Sequence, residues 1–175
     1  VIAFARKSAR KISTAAAAIA LAGTAVIAGP ASPASADDQV DWIKNVNSGK
    51  CLVAQGTADG AGAFQYDCNW QFEDQKWWFD WSYDDGQGKA MIKNANSGKC
   101  LTVQGFNDGA RAFQYDCSTG PFADQIWELD STDEGGVQLR NIHSQKCLVV
   151  QGRSNGNGAI QATCDSRFAD QRWKV

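Results

Sequence analysis

The sequence holds one histidine among 175 residues. A single His143 leaves no second imidazole for a zinc site or for a base paired with a nucleophile. No C-x-x-C occurs among the six cysteines, so metal-binding spacing is missing as well. There is no P-loop and no dinucleotide fingerprint. Beyond residue 36 there is no Lys/Arg cluster larger than an isolated pair, which removes the basic footprint that a nucleic-acid binder lays on phosphate. A second long apolar run is missing too, and no segment keeps helical periodicity for three turns. Acidic pairs do occur, at Asp84-Asp85 and Asp133-Glu134. They sit in Gly-rich connections where solvation accounts for them, and nothing marks two carboxyls set across a cleft as glycoside hydrolysis demands. These absences argue against an enzyme and against any cofactor or metal.

What is present is periodic. NSGKCL stands at 47–52 and again at 96–101, and HSQKCL follows at 143–148. Cys51, Cys100 and Cys147 each precede a second cysteine, Cys68, Cys117 and Cys164, by 17 residues. The phrases AFQYDC, AFQYDC and AIQATC end on those second cysteines, and DQKW, DQIW and DQRW close the copies. Self-similarity at this period marks a threefold internal repeat, with copies of about 38–86, 87–134 and 135–175.

Residues 1–36 are different material. Arg6, Lys7, Arg10 and Lys11 precede an alanine-rich apolar run from Ile12 to Gly29, then Pro30, Pro33 and Ala34-Ser35-Ala36. That order reads as a secretory signal peptide cleaved after Ala36. The rest, 37–175, carries 13 basic and 19 acidic residues, a net charge of −6. Such a chain suits an extracellular location and gives no affinity for anionic membranes; stable membrane insertion is not expected once the leader is removed. Export places the six cysteines in an oxidising compartment. A threefold chain should pair them the same way three times, as Cys51–Cys68, Cys100–Cys117 and Cys147–Cys164.

Period-two patterning appears in Trp42–Val46, Met91–Ala95 and Gln138–Ile142, each ending at a turn. A CLxxQ strand, a Gly-rich turn, an FQYDC-type strand and a strand from the Q-x-W phrase follow. Four short strands per copy make twelve. Three copies are too few for a propeller, whereas a closed three-lobed barrel leaves no sheet edge free to aggregate.

The order CL…C…QxW, three times over, resembles the ricin-type β-trefoil lectins, a family that includes carbohydrate-binding modules of bacterial secreted proteins. The resemblance covers all of 37–175. It implies an all-β trefoil of twelve strands with pseudo-threefold symmetry. It also implies that Gln75, Trp77, Gln125, Trp127, Gln171 and Trp173 are core residues. Each lobe of the family holds a shallow sugar pocket built from three parts: an Asp two residues after the first cysteine, an aromatic platform two before the second, and a polar residue before the QxW glutamine. Here the first part is replaced by Val53, Thr102 and Val149. The platform persists as Tyr66 and Tyr115, with Ala162 in lobe three. The third part is Asp74, Asp124 and Asp170. The resemblance therefore makes Tyr66, Gln65 and Asp74 in lobe one, and Tyr115, Gln114 and Asp124 in lobe two, the candidate carbohydrate-binding residues. Gln55, Gln104 and Gln151 stand nearby, serving either the pocket or the strand ends. Trp70, Trp78, Trp81 and Phe106 have no counterparts in the other copies, so they do not serve a shared core. The implied function is weak, multivalent recognition of a glycan or polysaccharide. The alternative is a secreted trefoil that binds a protein partner, for example as a hydrolase inhibitor. Tyrosines recurring in separate pockets favour sugar, and tryptophans in one continuous patch favour protein.

Overall fold

A computed structural model describes residues 40–118 and 123–175. The expected leader and its cleavage position lie outside the described residues. The strands are β1 (Asp41–Trp42), β2 (Lys44–Asn45), β3 (Cys51–Ala54), β4 (Ala63–Tyr66), β5 (Lys76–Asp80), β6 (Lys89–Asn94), β7 (Cys100–Val103), β8 (Ala112–Tyr115), β9 (Ile126–Ser131), β10 (Val137–Asn141), β11 (Cys147–Val149), β12 (Ile160–Ala162) and β13 (Trp173–Lys174). Thirteen elements replace the expected twelve because the first strand is split at Ile43. Its residues 41 and 42 pair with β5, and 44 and 45 pair with β13. The same strand thus passes from one neighbour to the next, and the ladder β1-β5-β6-β9-β10-β13-β2 closes into a six-stranded barrel. The other six strands are the hairpins β3–β4, β7–β8 and β11–β12. Bridges Gly62↔Phe113, Phe64↔Gly158 and Arg111↔Ile160 join them into a three-cornered cap.

The core lies where the lobes converge. Trp77, Trp127 and Trp173 are fully buried. Each indole would leave an N–H stranded, and each donates it instead to a leucine carbonyl: Leu52 at 2.9 Å, Leu101 at 2.9 Å and Leu148 at 3.0 Å. Ile43, Leu52, Ile92, Leu101, Leu139 and Leu148 fill the spaces between the rings. The QxW glutamines act within their own lobes. Gln75 Oε1 accepts from the Asn69 amide at 2.7 Å and Nε2 donates to the Asp67 carbonyl at 3.1 Å; Gln125 and Gln171 repeat both bonds. Disulfides Cys51–Cys68, Cys100–Cys117 and Cys147–Cys164 each close a 17-residue span.

The lobes are tied to one another by asparagines that carry no obvious sequence label. Asn45, Asn94 and Asn141 are buried. Each Oδ1 caps the turn that follows it, accepting two backbone N–H groups. Each Nδ2 crosses to the preceding lobe in the ring and donates to the carbonyl of Asp170, Asp74 or Asp124, at 2.9 Å every time. The turn itself needs a left-handed residue, and Gly49 and Gly98 take φ of 70° there. Lobe three has Gln145 instead, at φ 60°, with a side chain that donates to the Ile142 carbonyl and accepts from Arg140.

Candidate functional site

Strand alternation decides what each lobe presents to solvent. In β4 the residues run buried, half-buried, buried, exposed from Ala63 to Tyr66, and β8 repeats the pattern from Ala112 to Tyr115. Successive side chains on a strand point to opposite faces. Tyr66 and Tyr115 therefore stand outward, each 46% exposed. Gln65 and Gln114 point inward and are fully buried. The expectation that these two glutamines touch ligand is corrected here. Gln65 Oε1 accepts from the Ser48 hydroxyl at 2.6 Å, and Nε2 donates to the Gly152 and Ser154 carbonyls of lobe three. Gln114 is held in the same way by Ser97 and by Gly56 and Ala58 of lobe one. Gln161 repeats the arrangement in lobe three, with Ser144, Gly105 and Asn107. A residue with the same bonds in all three lobes, including the one without a tyrosine, is a seam residue.

Two shallow depressions open beside the tyrosines. The lobe-one depression has a volume of about 350 Å³ and is lined by Val53, Gln55, Phe64, Tyr66, Phe72 and Asp74, with Gln75 behind. The lobe-two depression, about 340 Å³, brings Thr102, Gln104, Tyr115 and Asp124 together. The structure thus joins Tyr66 to Asp74 and Tyr115 to Asp124, and it adds Gln55 and Gln104. The residues that replace the family carboxylate are buried. Val53 lies on the floor, and Thr102 turns its hydroxyl to the Cys100 carbonyl at 3.0 Å. Phe72, 52% exposed, was not singled out from the sequence. The signal was available: F-x-D-Q recurs at 72–75, 122–125 and 168–171.

Asp74 and its lobe-three equivalent Asp170 sit in single 3-10 turns, Glu73–Gln75 and Ala169–Gln171, whose carbonyls are pinned by the interlobe asparagines. Burial pushes the Asp74 carboxyl above its ordinary value, with its own backbone N–H working the other way, and Asp170 shows the same shift for the same reason. In lobe three Ala162 leaves the carboxylate without a tyrosine, while Phe168 stands where lobe one has Phe72.

The unrepeated aromatics take separate places. Trp70 meets Trp42 edge-on at 5.2 Å, and Lys76 Nζ lies 4.7 Å above its ring. Trp81 stacks on Phe79 at 5.7 Å. Trp78 is half-buried in β5. Phe106 packs 4.5 Å from His143, so the lone histidine and the lone turn phenylalanine occupy one interlobe contact. In the other two lobes the matching Asn47 and Asn96 bond across to the Gly152 and Gly56 carbonyls. By letters alone Gly152-Arg153-Ser154-Asn155-Gly156 spells a G-x-S-x-G. The structure puts it in the turn between β11 and β12, not in the strand-to-helix elbow that exposes a nucleophile.

A family model, the ricin-type beta-trefoil lectin domain, matches residues 40–173. No curated protein matches the chain. Among solved structures, the designed threefold-symmetric protein ThreeFoil is similar at 30% identity, with a TM-score of 0.70 over 77% of this chain and 96% of that one. An exo-beta-1,3-galactanase from Clostridium thermocellum is 28% identical, with a TM-score of 0.68 over 79% of this chain. The hemolytic lectin CEL-III is also 28% identical, with a TM-score of 0.59 over 77% of this chain. The match spans only 30% of the galactanase chain and 29% of the hemolytic lectin chain.

Proposed function

Because the chain belongs to the ricin-type beta-trefoil lectin domain family, we propose that it is a secreted carbohydrate-binding module whose lobes one and two each hold a glycan or polysaccharide unit. Domains of this kind bind and do not catalyse. The observation that carries the site assignment is the recurrence of Tyr66 with Asp74 and Tyr115 with Asp124 in two separate depressions. A tyrosine ring offers an apolar face to a pyranose, and an ionised carboxylate accepts hydroxyl protons. Trp70 and Trp81 pack on different partners, Trp42 and Phe79, whereas the tyrosines recur in two separate depressions. Three disulfides, with no free cysteine among the described residues, suit an exported chain.

Open pockets of this depth bind weakly. Single-site dissociation constants of ~10⁻⁴ to 10⁻³ M correspond to about 4 to 5 kcal/mol, and retention on a polymer comes from two linked sites. A glycan and polysaccharide array should show binding to polyvalent display. Tyr66→Ala should remove more than half of the avidity. Tyr66→Ala with Tyr115→Ala should abolish retention on an insoluble polysaccharide while circular dichroism and thermal midpoint stay near wild type. An array blank at polyvalent display, alongside one tight secreted protein partner in a pull-down, would overturn the reading.

A further inference from the structure

The lobe-one depression is electrostatically one-sided. Asp74 and the Tyr66 phenol are the titratable groups lining it, and no lysine or arginine lines it. The nearest cation in sequence, Lys76, is turned away onto Glu73 at 2.6 Å and over the Trp70 ring. Among the described residues no side chain bonds the Asp74 carboxylate, and its partner is its own backbone N–H. A partly buried carboxylate without a counter-charge is costly and gains most from a cation. The other walls are the rings of Phe64, Tyr66 and Phe72, whose faces attract a positive charge as well. Val53, in place of the family aspartate, leaves an apolar floor that offers no second acceptor for a neutral diol.

We propose that this depression, and with it the matching one of lobe two, prefers an amino sugar: a pyranose with a protonated primary amine, its ring against Tyr66 and its nitrogen on Asp74, with Tyr115 and Asp124 in the same roles. The proposal rests on the carbohydrate reading above and narrows it to a ligand class. Asp170 repeats the carboxylate without the tyrosine because Ala162 stands in its place, so lobe three lacks the platform on which the sugar ring is seated.

The test compares three soluble ligands by calorimetry on the purified protein at mildly acidic pH: a β-1,4-linked glucosamine hexamer, its fully N-acetylated form, and a neutral glucose hexamer. Acetylation removes the charge and leaves the ring shape. The amine form should bind about tenfold more tightly than the other two, the gain expected of a charge-assisted bond to a partly buried carboxylate. Asp74→Asn with Asp124→Asn should erase that preference, bringing the amine form down to the affinity of the acetylated form. Asp133→Asn with Glu134→Gln removes the same charge from the exposed loop between lobes two and three, and it should keep the preference. Equal binding of amine and acetylated hexamers overturns the proposal while the carbohydrate reading stands. So does a preference that survives in the aspartate variant or is lost in the loop variant, since general attraction to an acidic protein would then explain it. Failure of all three ligands and of the polyvalent array overturns both readings.

Discussion

At Tyr66 the backbone of β4 leaves nearly half the ring in solvent, while one position earlier the same strand buries Gln65 completely. The difference comes from period-two geometry and not from residue type. At Asp74 the cost is desolvation. A carboxyl whose folded value is raised destabilises the folded state when ionised, and that cost is relieved as pH falls through the raised value. Asp74→Asn removes the charge without changing the shape. It should raise the thermal midpoint slightly at neutral pH, by the equivalent of a few tenths of a kcal/mol. A lowered midpoint in differential scanning calorimetry would count against the desolvation argument. Asp80 has the opposite sign. Its bond to Lys93 at 2.6 Å holds the carboxyl down at about 2, against an ordinary 3.8. Its stabilising contribution is complete above 3.8 and is lost as pH falls through about 2. Asp80→Asn should cost about 1 kcal/mol at neutral pH after allowance for solvent screening. The cost should vanish in acid unfolding curves near pH 2.

Among elements, the turn after each first strand does two jobs. Asn94 caps its own turn through Oδ1 and holds the 3-10 turn bearing Asp74 through Nδ2. Removing a buried amide with three bonds leaves donors and an acceptor unpaired, at roughly 1–3 kcal/mol for each group that water does not reach. Asn94→Ala should therefore destabilise the domain by about 2–4 kcal/mol, read as a shifted urea midpoint with little change in slope. It should also weaken glycan binding in lobe one more than in lobe two, because Asp124 is pinned by Asn141 instead. The cap hairpins are held by a second set of contacts. Lys99 meets Asp116 of its own lobe and Asp59 of lobe one, and Lys146 meets Asp108 of lobe two. At the third seam Lys50 pairs with Asp67, which takes Asn155 of lobe three as a neutral partner.

For the whole molecule, threefold closure gives three equivalent positions and two tyrosines. Lobe three retains Asp170 in its 3-10 turn, the buried Gln161 and the disulfide, and has Ala162 and Ile160 where lobe one has Tyr66 and Phe64. Ala162 ends the outer strand of its hairpin and pairs with Cys147, as Tyr66 pairs with Cys51 and Tyr115 with Cys100. Ala162→Tyr should consequently open a third site. Retention on an insoluble polysaccharide should rise severalfold through added valency, with single-site affinity for a soluble oligosaccharide unchanged. No gain in retention in a folded variant would show that the ring and carboxylate are not sufficient.

The repeat made much of this molecule legible before any coordinates. Cysteine spacing, the QxW phrases and period-two strands determined three lobes, the disulfide pairing and the all-β class, because each depends on local pattern copied three times, and the family resemblance those phrases carry implied the trefoil and its tryptophan core. Tyr66 and Tyr115 were picked out through that resemblance, by their fixed distance from a cysteine, and both stand exposed. Tertiary structure alone decided which neighbours share a face. Gln65 and Gln114 lie next to the tyrosines in the chain, yet they belong to the seams, since their bonding partners are 56 to 89 residues away or set by a neighbouring turn. Asn45, Asn94 and Asn141 became ties only when the barrel closed and brought the next carbonyl within 2.9 Å. Phe72 became a pocket wall in the same way, when its turn was laid beside β4. Burial, register and the absence of a counter-charge at Asp74 are properties of packed surfaces, and no single stretch of sequence contains them.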